Sequence, residues 1–120
     1  MANVLVVDDA AFMRLTIKKI LESNGHAMVG EASNGKEAVI QYESLRPDVV
    51  ILDITMPDMN GVEALNKIKQ LDPDVKVIIC SAMGNQNMLA QTIECGAKDF
   101  VVKPFQPERL VAAIEKVVSK

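Results

Sequence analysis

Five short apolar runs, mostly β-branched, alternate along this chain with segments whose apolar residues recur at helical spacing. Runs of this length between turn residues are typical of strands buried on both faces, and parallel strands of that kind need a helical crossover between them. The pattern therefore predicts an α/β fold with a (βα)5 doubly wound parallel sheet. The predicted strands lie near residues 4–7, 27–29, 49–52, 77–79 and 100–102.

Turn residues separate the predicted units, and Pro107 stands where it can open the last helix, because proline is favoured at the first helical position. A chain of 120 residues that is 49% hydrophobic can bury one continuous core. We therefore expect a single domain over residues 1–120. The turn signals are Asn24-Gly25, Asn34-Gly35, Asn60-Gly61 and Asp72-Pro73-Asp74.

The charge and the cysteines exclude several classes of protein. A net charge of −3 and a pI near 5.1 argue against binding to nucleic acid or to an anionic membrane, which depends on clustered lysine and arginine. Cys80 and Cys95 are too few for a disulfide framework and lack the spacing of a zinc site. Because no basic leader precedes a long apolar stretch, we expect a soluble cytoplasmic protein with reduced thiols.

Polar side chains end four of the five predicted strands. Asp8 and Asp9 follow the first run, Asp53 ends the third, and Ser81 and Lys103 follow two later runs. The carboxyl ends of parallel strands meet at one edge of the sheet, where open α/β sheets bind ligands. Carboxylates a few ångströms apart repel by about 3 kcal/mol per pair at an effective dielectric constant of about 20, so the predicted site needs protons or a cation.

An oxygen-only site of this kind suits Mg²⁺ and, next best, Mn²⁺. Magnesium often takes a phosphate oxygen into its shell, so a site with few carboxylates implies a phosphoryl partner. Lys103 supplies a positive charge and Ser81 a hydroxyl donor for the phosphoryl oxygens. Asp53 is the candidate nucleophile, since a carboxylate can form an aspartyl phosphate.

Each of these residues also has a structural explanation when it is taken alone. Asp8 or Asp9 could cap the following helix, and Asp53 could merely end its strand. Ser81 could be a loop hydroxyl and Lys103 a solvated charge. Chance would have to place compatible groups after four of five strands, and this conjunction favours a common site.

His26 and the Lys103-Pro104 pair bear on the alternatives. His26 stands at the start of the second predicted strand, away from the acidic residues, and we predict a surface position. A Ser-His-Asp mechanism therefore has little support.

A proline after Lys103 permits a cis peptide bond. The chain has no GxxxxGK or GxGxxG loop for a nucleotide.

Four motifs carry a family resemblance: VLVVDD, VVILDITMPDMNG, IICSA and FVVKPF. Through them the chain resembles a response-regulator receiver domain, the phosphoacceptor of two-component signalling, over nearly its whole length. The stretches DDAAFMR, DITMPDMNG, SAMG and GAKDFVVKPFQP more narrowly resemble stand-alone chemotaxis regulators. The resemblance implies a flavodoxin-like sheet with strand order 2-1-3-4-5.

The resemblance also implies the roles of the site residues. A histidine kinase of the chemotaxis type would transfer a phosphoryl group to Asp53, and Lys103 would contact that group. Ser81 would move to bind a phosphoryl oxygen, and the ring of Phe100 would then turn inward and reshape the face of the fourth helix, fifth strand and fifth helix. The implied ligands of Mg²⁺ are Asp9, Asp53, the carbonyl oxygen of Thr55 and, through water, Asp8.

In this family the positions of Thr55 and Met83 influence how fast the phosphoryl group hydrolyses. Neither residue resembles the polar pair that would orient an attacking water, so we predict slow self-dephosphorylation and dependence on a partner phosphatase. The implied output is a protein contact with the flagellar motor switch, made by a monomer without an effector domain.

Three alternatives remain open at this point. An aspartate-based phosphohydrolase usually needs a second acid two residues after its nucleophile, where this chain has Thr55. A flavin-binding module shares the fold, but the chain has no tryptophan and no obvious phosphate loop. A phosphorelay carrier, which passes its phosphoryl group to another histidine protein, would use the same chemistry as a motor regulator.

Overall fold

The computed structural model describes residues 1–54, 61–82 and 86–119. Five strands alternate with five helices in this part of the chain, which confirms the predicted βα units. The strands are β1 (Asn3–Val7), β2 (Ala27–Ala32), β3 (Val49–Asp53), β4 (Val77–Ala82) and β5 (Asp99–Lys103). The helices are α1 (Ala11–Ser23), α2 (Gly35–Leu45), α3 (Gly61–Leu71), α4 (Gln86–Glu94) and α5 (Pro107–Val118).

All strand pairs are parallel, and the strand order is β2-β1-β3-β4-β5, as the family resemblance implied. The pairing extends beyond the apolar runs into the polar residues that follow them. Asp53 lies opposite Cys80, and Ala82 lies opposite Lys103. The register therefore brings the polar ends of β3, β4 and β5 to the same edge of the sheet.

The core consists of two layers, one on each face of the sheet. Alternate residues of a strand point to opposite faces, so Leu5 and Val7 pack with α2 and α3 while Val4 and Val6 pack with α1 and α5. The exposure of these four side chains is between 0 and 1%. Burying an aliphatic side chain of this size contributes about 2 kcal/mol, which fixes the strands between the two helical layers.

Local signals set the ends of several helices. Pro107 opens α5 as predicted, and Gly25 follows α1 with a φ of 80°, a conformation that glycine adopts without strain. Asn34 caps α2, because its side chain accepts a hydrogen bond from the Glu37 amide at 2.8 Å. At the start of α3, a Cβ on Gly61 would overlap Ile54, so this helix begins close against the end of β3.

Polar groups at the edge where the strands begin, the amino edge, are joined in pairs. Asp48 accepts a hydrogen bond from the Asn3 amide at 2.8 Å. Tyr42 near the end of α2 donates to Asp72, just after α3, at 2.6 Å. Burial, followed by this hydrogen bond, raises the pKa of Tyr42, and the hydrogen bond from Tyr42 lowers the pKa of Asp72.

The predicted surface position of His26 is wrong. The residue is 7% exposed, and its Nδ1 accepts a hydrogen bond from the Ala2 amide at 3.0 Å. Its Nε2 lies 3.7 Å from a carboxylate oxygen of Glu115 in α5. The imidazole thus supplies an acceptor for the amide that precedes β1, while its buried Nε2 makes no hydrogen bond within the described residues.

The two cysteines are free, with Cys80 buried and Cys95 partly exposed. No helix in the described ranges is long and apolar enough to cross a lipid bilayer.

Candidate functional site

Three carboxylates meet at the edge where the strands end, the carboxyl edge. Asp8 follows β1 directly, Asp9 is the next residue, and Asp53 is the last residue of β3. One oxygen from each lies within 4.8 Å of the others. Asp8 and Asp53 are each 2% exposed, whereas Asp9 is exposed to solvent. The predicted grouping of these acids is therefore present in the fold.

The spacing of these oxygens suits a small divalent cation. At an Mg–O distance of about 2.1 Å, ligand oxygens stand about 3.0 Å apart when adjacent and about 4.2 Å apart when opposite. Oxygens within 4.8 Å of one another reach that geometry by small side-chain movements. Three hard oxygen donors with no sulfur or nitrogen ligand among them favour Mg²⁺ or Mn²⁺.

Lys103 at the end of β5 joins two of the acids. Its Nζ lies 2.7 Å from Asp8 Oδ2 and 3.4 Å from Asp53 Oδ2. Burial alone would lower the pKa of Lys103, but the hydrogen bond to Asp8 and the charges of both carboxylates raise it above its usual value. The lysine is therefore charged, and its peptide bond to Pro104 is cis. Three carboxylates and one ammonium leave a net charge of −2, which one divalent cation would neutralise.

Ser81 and Phe100 lie on neighbouring strands of the same region. Ser81 in β4 is fully buried, and its hydroxyl donates to the carbonyl oxygen of Ala82 at 3.0 Å. The β4–β5 register places Ser81 opposite Val102, two residues beyond Phe100. Phe100 is 39% exposed, so its ring is partly in solvent rather than in the core.

Two predicted site residues, Thr55 and Met83, lie outside the described residues. The capping explanation for Asp8 can be compared with the structure. Helix α1 begins at Ala11 with Ala10 as its N-cap, and Asp8 Oδ1 accepts a hydrogen bond from the Ala10 amide at 2.9 Å. Asp8 therefore orders the turn before the helix instead of capping the amides of its first turn.

Cys80 lies beside Asp53 in the sheet, at the bottom of the site. The pKa of its thiol is raised to about 12, chiefly by burial; the charge of Lys103 opposes this rise, and the charges of Asp53 and Asp8 add to it. The thiol is therefore protonated at neutral pH and offers no soft ligand to a metal.

Two arginines that the sequence motifs did not single out also contact this region. Arg14 Nη1 donates to the Asp8 carbonyl at 2.6 Å, and its Nε donates to Glu31 at the same distance. Arg109 in α5 donates to the Phe100 carbonyl at 2.7 Å and to Asp99 at 3.3 Å. Arg14 lies in the quoted stretch DDAAFMR, in the first turn of α1, and no spacing pattern in that stretch indicates its bond to the Asp8 carbonyl.

Comparisons with known proteins agree with this geometry. Residues 4–115 match the family model of the response regulator receiver domain. The chain is 56% identical over 115 residues to chemotaxis protein CheY of Thermotoga maritima, with 96% of each chain covered. It is 53% identical over 117 residues to chemotaxis protein CheY of Bacillus subtilis, with 98% of each chain covered.

Solved structures give the same result. The response regulator domain of Thermotoga maritima CheB matches with a TM-score of 0.90 at 35% identity, over 98% of this chain and 96% of that chain. A chain of the CheX–CheY–BeF3–Mg²⁺ complex from Borrelia burgdorferi matches with a TM-score of 0.92 at 37% identity, over 98% of this chain and 90% of that chain.

Proposed function

Since the chain belongs to the response regulator receiver domain family and is a chemotaxis response regulator of the CheY type, we propose that Asp53 accepts a phosphoryl group from a histidine kinase. The proposed reaction depends on Mg²⁺, and its product switches a protein-binding face that controls the flagellar motor. The protein acts as a signalling protein, and its own catalysis is limited to slow phosphoryl uptake and slow hydrolysis.

One observation carries this proposal: the Lys103 ammonium bridges two buried carboxylates in a cluster of three acids. A structural ion pair needs one acid and one base, whereas the three acids and the lysine among the described residues carry a formal net charge of −2. Buried like charges are unfavourable unless a ligand compensates them. The cluster therefore suits a site that binds a cation and, with it, a phosphoryl group.

In the proposed transfer, an oxygen of the Asp53 carboxylate attacks the phosphorus of a phosphohistidine on the kinase. The new O–P bond forms as the P–N bond breaks, and the electron pair of that bond returns to the imidazole nitrogen. Lys103 stabilises negative charge on a phosphoryl oxygen, which it can reach from its position beside Asp53. A bound Mg²⁺ would supply further charge stabilisation, held by Asp9, Asp53, the carbonyl of Thr55 and, through water, Asp8.

The phosphoryl group would then shift an equilibrium between two forms. In the present form, the Ser81 hydroxyl donates to Ala82 and the ring of Phe100 is partly in solvent. A phosphoryl group on Asp53 offers Ser81 a charged acceptor, and charge-assisted hydrogen bonds are stronger than neutral ones. Each 1.4 kcal/mol of preference for the form with Phe100 turned inward changes its population about tenfold.

The proposed partners follow from the CheY-type relationship. They are a chemotaxis histidine kinase, a flagellar motor switch protein and a phosphatase that shortens the signal. The relative from Borrelia burgdorferi forms a complex with CheX in the presence of BeF3 and Mg²⁺, and this supports a site that takes Mg²⁺ and a surface that binds protein. We propose that the single domain of residues 1–120 acts as a cytoplasmic monomer, without binding nucleic acid or membranes.

Phosphorylation can be tested by incubating the protein with Mg²⁺ and acetyl phosphate and weighing the intact chain by mass spectrometry. We expect one adduct of about 80 Da, which Asp53→Ala loses and EDTA prevents. Asp74→Ala is the matched control, because Asp74 is an exposed aspartate in the turn after α3. An adduct that persists in Asp53→Ala would contradict the proposal.

The same experiment separates the phosphohydrolase alternative. A response regulator takes up one phosphoryl group per chain and releases phosphate slowly. Continuous phosphate release without an adduct, at a rate proportional to protein concentration, would favour a phosphohydrolase instead.

A further inference from the structure

We infer that Arg14 is a positioning residue, which holds the turn between β1 and α1 so that Asp8 and Asp9 present their oxygens to a divalent cation. This inference rests on the proposed function, because it concerns the cation site of that function. Within the described residues, Arg14 contacts the backbone carbonyl of Asp8 but none of the three carboxylate groups of the cation site.

Arg14 is attached to both ends of this turn. Its guanidinium Nη1 donates to the Asp8 carbonyl at 2.6 Å, and its backbone amide donates to the Ala10 carbonyl at 3.1 Å. The other side of the guanidinium is fixed by Glu31 in β2, whose carboxylate accepts from Nε at 2.6 Å. The Arg14 side chain is 16% exposed and its bond to the Asp8 carbonyl is partly buried, whereas the Glu31 side chain is half exposed to solvent.

The residue between those two attachment points is Asp9. In the described part of the chain, Asp9 is exposed and makes no hydrogen bond or ion pair of its own. Its carboxylate is therefore placed by the backbone of the two residues beside it, Asp8 and Ala10. The Arg14 side chain binds the carbonyl of Asp8, so it holds the backbone from which the Asp9 side chain extends.

Helices α1 and α2 differ in how side chains bind the backbone at their first turns, and α2 shows the usual capping arrangement. There the Asn34 side chain accepts from the Glu37 amide, and Glu37 in return accepts from the amide and hydroxyl of Ser33, both at 2.8 Å. Helix α1 has alanine at its N-cap, with no side-chain cap and no acidic residue in its first turn. At α1 the arginine bond to the Asp8 carbonyl holds the chain just before the helix, although it satisfies none of the first-turn amides that a capping box satisfies.

Removing the Arg14 side chain should change the affinity for Mg²⁺ in opposite directions, depending on whether Arg14 acts through its charge or by positioning the turn. Removing a positive charge near an acidic cluster would, by electrostatics alone, strengthen the binding of Mg²⁺. Releasing the turn would weaken binding, because outer-shell contacts that orient metal ligands typically contribute 10- to 100-fold in affinity. The sign of the change therefore separates the two effects.

We would measure Mg²⁺ binding by calorimetric titration of the parent, Arg14→Ala, Arg14→Lys and Lys19→Ala. Arg14→Ala should bind Mg²⁺ about tenfold more weakly than the parent, and Arg14→Lys should recover part of that loss, because one ammonium can still reach the Asp8 carbonyl. Lys19→Ala is the matched control: it removes the same charge from an exposed position of the same helix and should not weaken binding.

Amide hydrogen exchange gives a second readout that does not depend on the metal. The Ala10 amide, which donates to Asp8 Oδ1, should exchange faster in Arg14→Ala, while the Glu37 amide at the start of α2 should keep its parental rate. Unchanged exchange at Ala10, or unchanged or tighter Mg²⁺ binding in Arg14→Ala, would overturn the inference alone. A parent that does not bind Mg²⁺ would overturn the proposed function and this inference together.

Discussion

The two edges of the sheet use polar residues in opposite ways. At the amino edge, His26 and Asp48 each accept a backbone hydrogen bond, and Tyr42 donates to Asp72. At the carboxyl edge, three acids lie close together and one lysine pairs with two of them, so the described groups retain excess negative charge. Paired groups stabilise the fold, whereas collected like charges reduce stability and are retained where a ligand compensates them. The comparison predicts that the two edges respond differently to mutation.

The largest effect is expected for Lys103→Met at the carboxyl edge. Removing the ammonium leaves Asp8 and Asp53 buried beside each other without their cation, and breaking a buried ion pair costs about 3 kcal/mol. Unfolding in urea with EDTA present should show this loss. Lys98→Met, an exposed lysine beside the start of β5, is the control and should lie within about 0.5 kcal/mol of the parent.

The effect of Mg²⁺ on the stability of Lys103→Met provides a second test of the role of charge at the carboxyl edge. The net charge at the carboxyl edge becomes −3 in Lys103→Met, so Mg²⁺ should raise the free energy of unfolding more in this variant than in the parent. Equal stabilisation of both proteins by Mg²⁺ would contradict the view that charge governs this edge.

Tyr42→Phe should weaken the amino edge without altering the site. The variant loses the hydrogen bond to Asp72 and should be less stable by about 1.5 kcal/mol, a typical value for a hydrogen bond to a charged group. Its Mg²⁺ affinity should match that of the parent in a calorimetric titration. A change in that affinity would show that the two edges are not independent.

The same tyrosine predicts a pH dependence at the amino edge. Its pKa in the folded protein is raised from 10.0 by burial and by Asp72, so above pH 10 the unfolded chain releases its proton first. The associated stability is complete below pH 10 and is lost as the pH rises towards the folded pKa, by up to about 1.4 kcal/mol per pH unit. Urea unfolding between pH 9 and pH 11 should therefore show a steeper decline for the parent than for Tyr42→Phe.

Asp9→Asn should stabilise the metal-free protein, whereas the variants described above should destabilise it, and the change should be smaller than theirs. Replacing one carboxylate relieves repulsion, and the metal-free protein should gain about 1 kcal/mol. Stabilisation by Mg²⁺ should fall sharply in the same variant, because a charged ligand is lost. A loss of metal-free stability in EDTA would mean that Asp9 is a structural acid and would weaken the contrast between the edges.

Asp48→Ala should give the smallest change. Asp48 is exposed, so water can replace it as the acceptor for the Asn3 amide, and the loss should be about 0.5 kcal/mol. Thermal unfolding would measure this loss, and Mg²⁺ should shift the midpoint of the variant and the parent equally.

The sequence was most informative about the strands and the acids that follow them. A β-branched run with an aspartate at its end, as in residues 49–53, indicates both a buried strand and the edge at which the acid lies. The strand order was not contained in that pattern, because all five runs are similarly apolar, and it came from the family resemblance. The grouping of the acids could then be predicted, since parallel strands end at a common edge.

Side-chain contacts to backbone atoms could not be predicted from the sequence pattern. The sequence predicts a surface position for His26, because nothing in it shows that the Ala2 amide finds its acceptor there. It does not indicate a role for Arg14, whose partners are a backbone carbonyl and a carboxylate on another strand. Such partners depend on register and on helix orientation, which side-chain patterns do not specify.

The thiol at the bottom of the site provides a built-in reporter of opening motions. With a pKa of about 12, Cys80 carries a thiolate on the order of once in 10⁵ molecules at pH 7, and its burial blocks alkylating reagents. Iodoacetamide can therefore modify this cysteine only when the core layer between the sheet and helices α1 and α5 opens. The alkylation rate of Cys80 would report how often the structure opens around β4, the strand next to Asp53. This readout is more local than a melting curve, which reports unfolding of the whole domain.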